Sequence, residues 1–264
     1  ATDCVAGIYL SSEGTTVTQN HLYNNSWVGI RLWGSVNNTV YENNASFNDQ
    51  GINLYGDSHY NTVFRNEFFN NSRDGIYLAT ANNNTFFKNN VSWSNYSIYF
   101  DNICTGNRFY INNFMDANIN HVVDPAPAGN FYDNGLPDGG NYWDDYTGED
   151  KDGNGIGDIP YDISGGSNKD RYPLMNQLMI DNVYKDAISK NREDEESDPS
   201  EVYPLSSSSN TGRDIVVPDD FNTIQEAVDY AYPGDNILVR SGIYHENVNI
   251  STPDLTIQGE DEDN

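Results

Sequence analysis

The 264 residues are 36% hydrophobic yet 13% aromatic, with 19 tyrosines, a mixture that excludes ordinary disorder, which is poor in aromatic side chains. Lys and Arg total 13 against 40 Asp and Glu, a formal charge of −27; such a surface repels phosphate backbones and excludes nucleic acid as a partner. No apolar run reaches the roughly 18 residues of a membrane span, and two cysteines, Cys4 and Cys104, make no disulfide framework.

The first predicted elements recur. GIYL at Gly7 returns as GIRL at Gly29, GINL at Gly51, GIYL at Gly75 and SIYF at Ser97, at spacings of 22, 22, 24 and 22 residues. Three further columns run every 23 residues: Val17, Val40, Val63, Phe86, Phe109; Asn20, Asn43, Asn66, Asn89, Asn112; and Leu22, Ala45, Phe68, Val91, Phe114. Four columns in register define a repeat too short for paired helices, and no 3.6-residue apolar pattern lies inside it. Each unit instead holds short alternating segments, such as Thr39–Glu42 and Gly51–Leu54, separated by Asn, Gly, Ser and Asp. Three strands and three turns use about 23 residues, and coils stacked about 4.8 Å apart pair every strand and bury the inward columns. The fold expected is therefore all-β, a right-handed parallel β-helix, because parallel crossovers are right-handed. The recurring Asn is read as a scaffold ladder that tolerates a left-handed bend. A leucine-rich repeat, which also carries an Asn ladder, needs a Leu frame that is missing.

These columns resemble the NosD-like and carbohydrate-binding/sugar-hydrolase β-helix repeats of archaeal and bacterial surface proteins, over roughly residues 5–175. The resemblance implies fold more than activity. It also implies copper, but His21, His59, His121 and His245 occupy different repeat columns and no Met or Cys cluster joins them, so copper delivery is not carried over. Outward aromatics Tyr9, Trp33, Tyr55, Tyr77 and Tyr99 offer a sugar-stacking face or ordinary packing along strands. Eight Asn-x-Ser/Thr sites, at Asn24, Asn37, Asn44, Asn70, Asn83, Asn90, Asn95 and Asn249, suit a secreted glycoprotein, although asparagine also serves these turns.

After Asn112 the repeat decays into an acidic loop. Asp150, Asp152 and Asn154 offer alternate oxygens, Gly155 a sharp turn, Ile156 its carbonyl and Asp158 a closing carboxylate. This is the front half of a calcium loop without its terminal Glu. The hard-oxygen set predicts Ca²⁺ and argues against zinc or copper there. The stretch from Asn141 to Leu174, with Arg171-Tyr172-Pro173-Leu174, resembles the segment that ends archaeal NosD-like domains.

Residues 1–175 are thus read as the coils and 176–212 as a short helix followed by a charged, Ser-rich linker. Residues 213–264 follow as a second module. There, Asp214–Val217 reads as a strand, Thr223–Ala231 as a helix with a Thr223–Glu226 capping box, and Asn236–Arg240, Tyr244–Ile250 and Leu255–Gln258 as strands. The order resembles the N-terminal cap of pectin-esterase-like β-helices, which in those families opens the domain. Here it comes last. That phase predicts a secreted or cell-surface scaffold that stacks head-to-tail on other copies, or on neighbouring tandem domains, into filaments. The competing reading is a carbohydrate-binding or polysaccharide-degrading subdomain, a lyase or glycoside hydrolase, with cell-surface polysaccharide as partner; no catalytic residues are assigned.

Overall fold

A computed structural model describes residues 2–102, 104–126, 129–178, 180, 214–218, 221, 223–231, 235–248, 250 and 255–260. The chain divides into two compact units, residues 1–196 and 197–264.

The first unit is the parallel β-helix. Its first sheet stacks β1 (Ala6–Leu10), β4 (Val28–Trp33), β7 (Gln50–Tyr55), β10 (Asp74–Ala79), β13 (Tyr96–Phe100) and β16 (Asn120–Val123). The second stacks β2 (Thr16–Thr18), β5 (Thr39–Tyr41), β8 (Thr62–Phe64), β11 (Thr85–Phe87) and β14 (Arg108–Tyr110). The third stacks β3 (His21–Tyr23), β6 (Asn44–Ser46), β9 (Glu67–Phe69), β12 (Asn90–Ser92), β15 (Asn113–Met115) and β17 (Tyr142–Trp143). Every pairing in these three sheets is parallel, and the register is the one the repeat predicts: Ile8 faces Ile30, Ile30 faces Ile52, and Ile76 faces Ile98.

The inward columns are closed to solvent. Ile30, Ile52, Ile76 and Ile98 lie beside Leu32, Leu54 and Leu78, with Val40, Val63 and Phe86 from the second sheet and Ala45, Phe68 and Val91 from the third. Toward the later coils the core turns aromatic: Phe86 stacks on Phe109 at 4.8 Å and Phe114 on Trp143 at 4.6 Å.

The glycine of each GIxL segment is demanded by this packing. A Cβ on Gly75 would stand 2.2 Å from Val91 Cγ1, and one on Gly29 would stand 2.6 Å from Ala45 Cβ.

Asparagines hold the turns. The amide of Asn43 donates to Asn66 Oδ1 at 3.0 Å, Asn66 to Asn89 at 3.0 Å, and Asn89 to Asn112 at 2.9 Å. Two further ladders serve the other corners, Asn38–Asn61–Asn84–Asn107–Asn130 and Asn25–Asn48–Asn71. Each rung also accepts from or donates to backbone groups, so the ladder amides of the turn are paired.

The last coil ends on buried carboxylates. Asp170 accepts from Asn141 N at 2.7 Å, Trp143 Nε1 at 2.9 Å and Tyr172 N at 3.1 Å, which stops the Asn20–Asn141 ladder. Arg171 grips buried Asp133 through Nε at 2.9 Å and Nη2 at 2.6 Å. Beyond the coils β18 (Tyr161–Asp162) and β19 (Lys169–Asp170) pair antiparallel. Cys4 is exposed and Cys104 buried, and both are free.

In the second unit, β20 (Asp214–Val217), β21 (Asn236–Val239) and β22 (Thr256–Gly259) form a parallel sheet, and α1 (Ile224–Tyr230) packs on it around Ile215, Val217, Ala227, Val228 and Ile237. The sequence predicts a strand at 244–250, and the described residues there form none. Glu246 turns instead to cap α1, accepting from Ile224 N at 2.9 Å and Gln225 N at 2.8 Å, a carboxylate at a helix N-terminus. The side chain of Glu226, the predicted cap partner, lies outside the described residues, as do 181–213 and Asn249.

Candidate metal centre

The glycine column of the first sheet is broken at its end. Ser97 takes the position of Gly75, and His121 follows Ser97 by 24 residues, one coil later. The imidazole of His121 is 4% exposed and its Nδ1 lies 2.9 Å from Ser97 Oγ. Its Nε2 lies 2.7 Å from Asp144 Oδ1 and 3.6 Å from Asp145 Oδ1. β17 delivers the two carboxylates, because Phe114 pairs with Trp143 and the backbone N–H of Asp144 donates to Phe114 O.

A second layer fixes each group. Asp144 Oδ2 accepts from Asp116 N at 2.6 Å, and Asp145 Oδ2 accepts from the Tyr161 hydroxyl at 3.2 Å. Tyr161 stacks flat on Trp143 at 4.5 Å, and burial, followed by the charge of Asp145, pushes its hydroxyl well above the usual phenol range. Trp143 in turn meets the His121 ring at 5.7 Å. The three candidate ligands open into a cleft of about 590 Å³ whose walls include Asp116, Asn120, Tyr146, Asp162 and Ser164.

With Nδ1–H donated to Ser97, the Nε2 lone pair would point at two carboxylates, an arrangement that needs a proton or a cation between them. Among the described residues this is the one group of three or more His, Cys, Asp or Glu side chains whose ligand atoms converge. A nitrogen and two carboxylate oxygens, with the other imidazole nitrogen anchored, suit a divalent transition ion such as copper(II). They do not suit copper(I), which selects thiolate and thioether. Cys104 is fully buried with its thiol pushed up by burial, and Met115 is not among the residues lining the cleft.

The acidic loop at Asp150–Asp158 is built differently. Asp150 accepts from Gly155 N at 2.9 Å, Gly153 N at 2.7 Å and Asn154 N at 3.2 Å, and these donors, Gly155 first, hold its carboxyl below the usual range. Asp158 accepts from Lys151 N at 2.7 Å, Asn154 Oδ1 accepts from Ile156 N at 2.8 Å, and Asp152 accepts from Asn154 N at 3.2 Å. The loop's own backbone therefore answers the oxygens that the sequence pattern offers to an ion.

On the outer face of the first sheet, Trp33 stacks on Tyr55 at 4.8 Å and Tyr77 on Tyr99 at 6.0 Å, while Tyr9 is exposed. The five fall in two columns, Trp33 and Tyr55 in one and Tyr9, Tyr77 and Tyr99 in the other, where Arg31 and Asn53 stand between Tyr9 and Tyr77. Buried Arg31 lies beneath Trp27 at 4.1 Å and Trp33 at 4.7 Å. Of the sequons, Asn24, Asn37, Asn70 and Asn83 are exposed, Asn44 and Asn95 half-buried, and Asn90 buried.

Fold and site together define a parallel β-helix with a buried histidine and two carboxylates gathered at one end. The family described as "periplasmic copper-binding protein (NosD)" matches residues 1–148, more than half of the chain, and the chain belongs to that family. No curated protein and no solved structure gives a significant match. The family's metal is copper, which overturns the calcium expectation placed on Asp150, Asp152, Asn154, Ile156 and Asp158. The sequence reading missed His121 because it looked for partners among His, Met and Cys. The broken glycine column, followed one coil later by Asp144-Asp145, is the signal that finds it. No described helix is long and apolar enough to cross a membrane, and the family is one of the periplasm.

Proposed function

We propose that the chain is an extracytoplasmic β-helix scaffold that holds one divalent transition-metal ion, copper(II) in class, on His121, Asp144 and Asp145. The observation that carries this reading is His121 itself. Its imidazole is buried, anchored on one nitrogen by Ser97, and aimed with the other at two carboxylates. His121 would supply an imidazole nitrogen and Asp144 and Asp145 carboxylate oxygens to the ion, a donor set that suits copper(II). Ser97 would fix the tautomer and ring plane; Tyr161 and the Asp116 N–H would orient the carboxylates.

Titration calorimetry and electron paramagnetic resonance with copper(II) test the assignment. One equivalent should bind with coupling to a single imidazole nitrogen. His121→Ala should abolish it, and Ser97→Ala should weaken it about tenfold or more. Tight binding that survives His121→Ala would disprove the site.

Head-to-tail assembly is the finer part of the scaffold proposal. β1 and β22 are each the outermost strand of a parallel sheet, with one edge unpaired by any described strand. Such edges template further pairing. Stacking the second unit of one copy on β1 of the next would join them as a heterologous contact. Light scattering on the full chain and on a chain lacking 213–264 tests it: long assemblies should require those residues, and a monodisperse full-length monomer rules it out.

A further inference from the structure

Trp143 stands behind the His121 centre and is buried. It ends β17 immediately before Asp144 and Asp145, so the seat of its ring decides where the strand releases the two carboxylates. Tyr161, whose hydroxyl donates to Asp145, stacks on the indole at 4.5 Å. Phe114 stacks on it at 4.6 Å, and the His121 ring meets it edge-on at 5.7 Å. Stacking of this kind sets the plane of a ring, and the ring's one polar atom sets its position within that plane. In Trp143 that atom is Nε1, and it donates to Asp170 Oδ2 at 2.9 Å.

Asp170 is fixed in turn. Its Oδ2 also accepts from Asn141 N at 2.7 Å and its Oδ1 from Tyr172 N at 3.1 Å. A Cβ on Gly140 would stand 1.8 Å from Oδ1, so only glycine fits beside the carboxyl. The charged groups around it are engaged with one another: Arg171 grips Asp133, and Lys169 pairs with Asp162. The phenols that feel its charge are Tyr146 and Tyr161. Burial, with the charge of Asp133 added, pushes the Asp170 carboxyl up to about 7. In mildly acid solution the metal-free centre therefore has a neutral group against its indole. A divalent ion on His121, Asp144 and Asp145, one indole away, favours the ionised form, and by linkage the ionised form favours the ion.

We propose that Asp170 is a positioning residue of the metal centre, an inference that rests on His121, Asp144 and Asp145 holding the ion. It seats the Trp143 indole that places those three ligands, and it yields its proton to solvent when a divalent ion binds them. Calorimetric titration of the full chain with copper(II) chloride, in two buffers of unlike ionisation enthalpy at pH 6.5, counts the protons released. Asp170→Asn, which mimics the protonated form, should release roughly half a proton fewer than the parent. It should also bind about fivefold more weakly at pH 8, with the difference widening from pH 6 to pH 8. Trp143→Phe keeps a ring for Phe114 and Tyr161 but lacks the N–H. It should lose affinity to a similar degree at pH 8, and the double variant should lose no more than either alone. Asn66→Ala, which loosens the ladder away from the centre, should keep the parent's affinity and proton count. A merely structural role for Asp170 would weaken binding without changing the proton count or the pH slope, and that result would overturn the proposal. Equal affinity and proton count in the parent and Asp170→Asn would do the same. A parent that binds no copper(II) would instead remove the metal centre itself, and this role with it.

Discussion

Asp170 is a carboxylate placed where charge is costly. Burial, the largest influence, outweighs its backbone and indole donors and pushes its pKa from 3.8 up to about 7. Between those values the folded chain holds a proton that the unfolded chain has released. Stability from this group is therefore full below about 4 and is lost as pH rises toward 7. That is the reverse of an ordinary paired aspartate such as Asp133, where burial raises the carboxyl but the Arg171 guanidinium and backbone N–H outweigh it and hold it below its usual range. Melting temperatures of Asp170→Asn and the parent, measured from pH 4.5 to 8, should diverge in pH slope. The parent should lose stability relative to the variant as pH rises, and parallel curves would refute the assignment.

The Asn ladder and the glycine column are the elements that make one coil fit the next. Asn66 Oδ1 accepts from the backbone and side chain of Asn43, while its amide donates to Val40 O, Phe64 O and Asn89 Oδ1. Asn66→Ala should cost about 3 kcal/mol in denaturant unfolding, since several buried groups lose their partner at once. The exposed Asn70→Ala should cost far less. Gly75→Ala forces a Cβ against Val91 Cγ1 at 2.2 Å, and overpacking of this kind typically costs about 1–3 kcal/mol. In a Val91→Ala background the same change should cost less, because the clashing methyl is gone; equal costs in both backgrounds would show that the strain lies elsewhere. Ser97 and His121 occupy the last positions of this column, both buried, with Ser97 Oγ 2.9 Å from His121 Nδ1.

At the scale of the molecule, 40 acidic side chains against 13 basic ones leave a net charge of −27 that repels itself. Added sodium chloride should raise the melting temperature of the metal-free protein by screening, and choline chloride should do so equally. A rise specific to one cation would mean binding in place of screening. How far this architecture was legible in sequence depends on whether a feature repeats. The parallel coils, the strand register from Ile8 to Ile98 and the inward columns were legible because each coil restates the same constraint. The metal cluster appears once and draws on Ser97, His121, Asp144 and Asp145 across three coils, so no local spacing announces it. The strand expected at 244–250 failed for a related reason: alternating residues suit a strand, but Glu246 is taken by the end of α1.

The sequence by itself determined the class of fold, the coil length and the residues that face inward, because stacking at a fixed strand spacing turns periodicity directly into contacts. It also placed a tight acidic turn at Asp150–Asp158. Only the tertiary structure decided where polar groups point. Backbone N–H groups fold onto Asp150 and Asp158 and answer their charge from within the loop, whereas Asp144 and Asp145 are carried by a strand to a histidine one coil away. Which carboxylates face each other and which face backbone donors is set by the path of the chain in space, and composition does not encode that path locally.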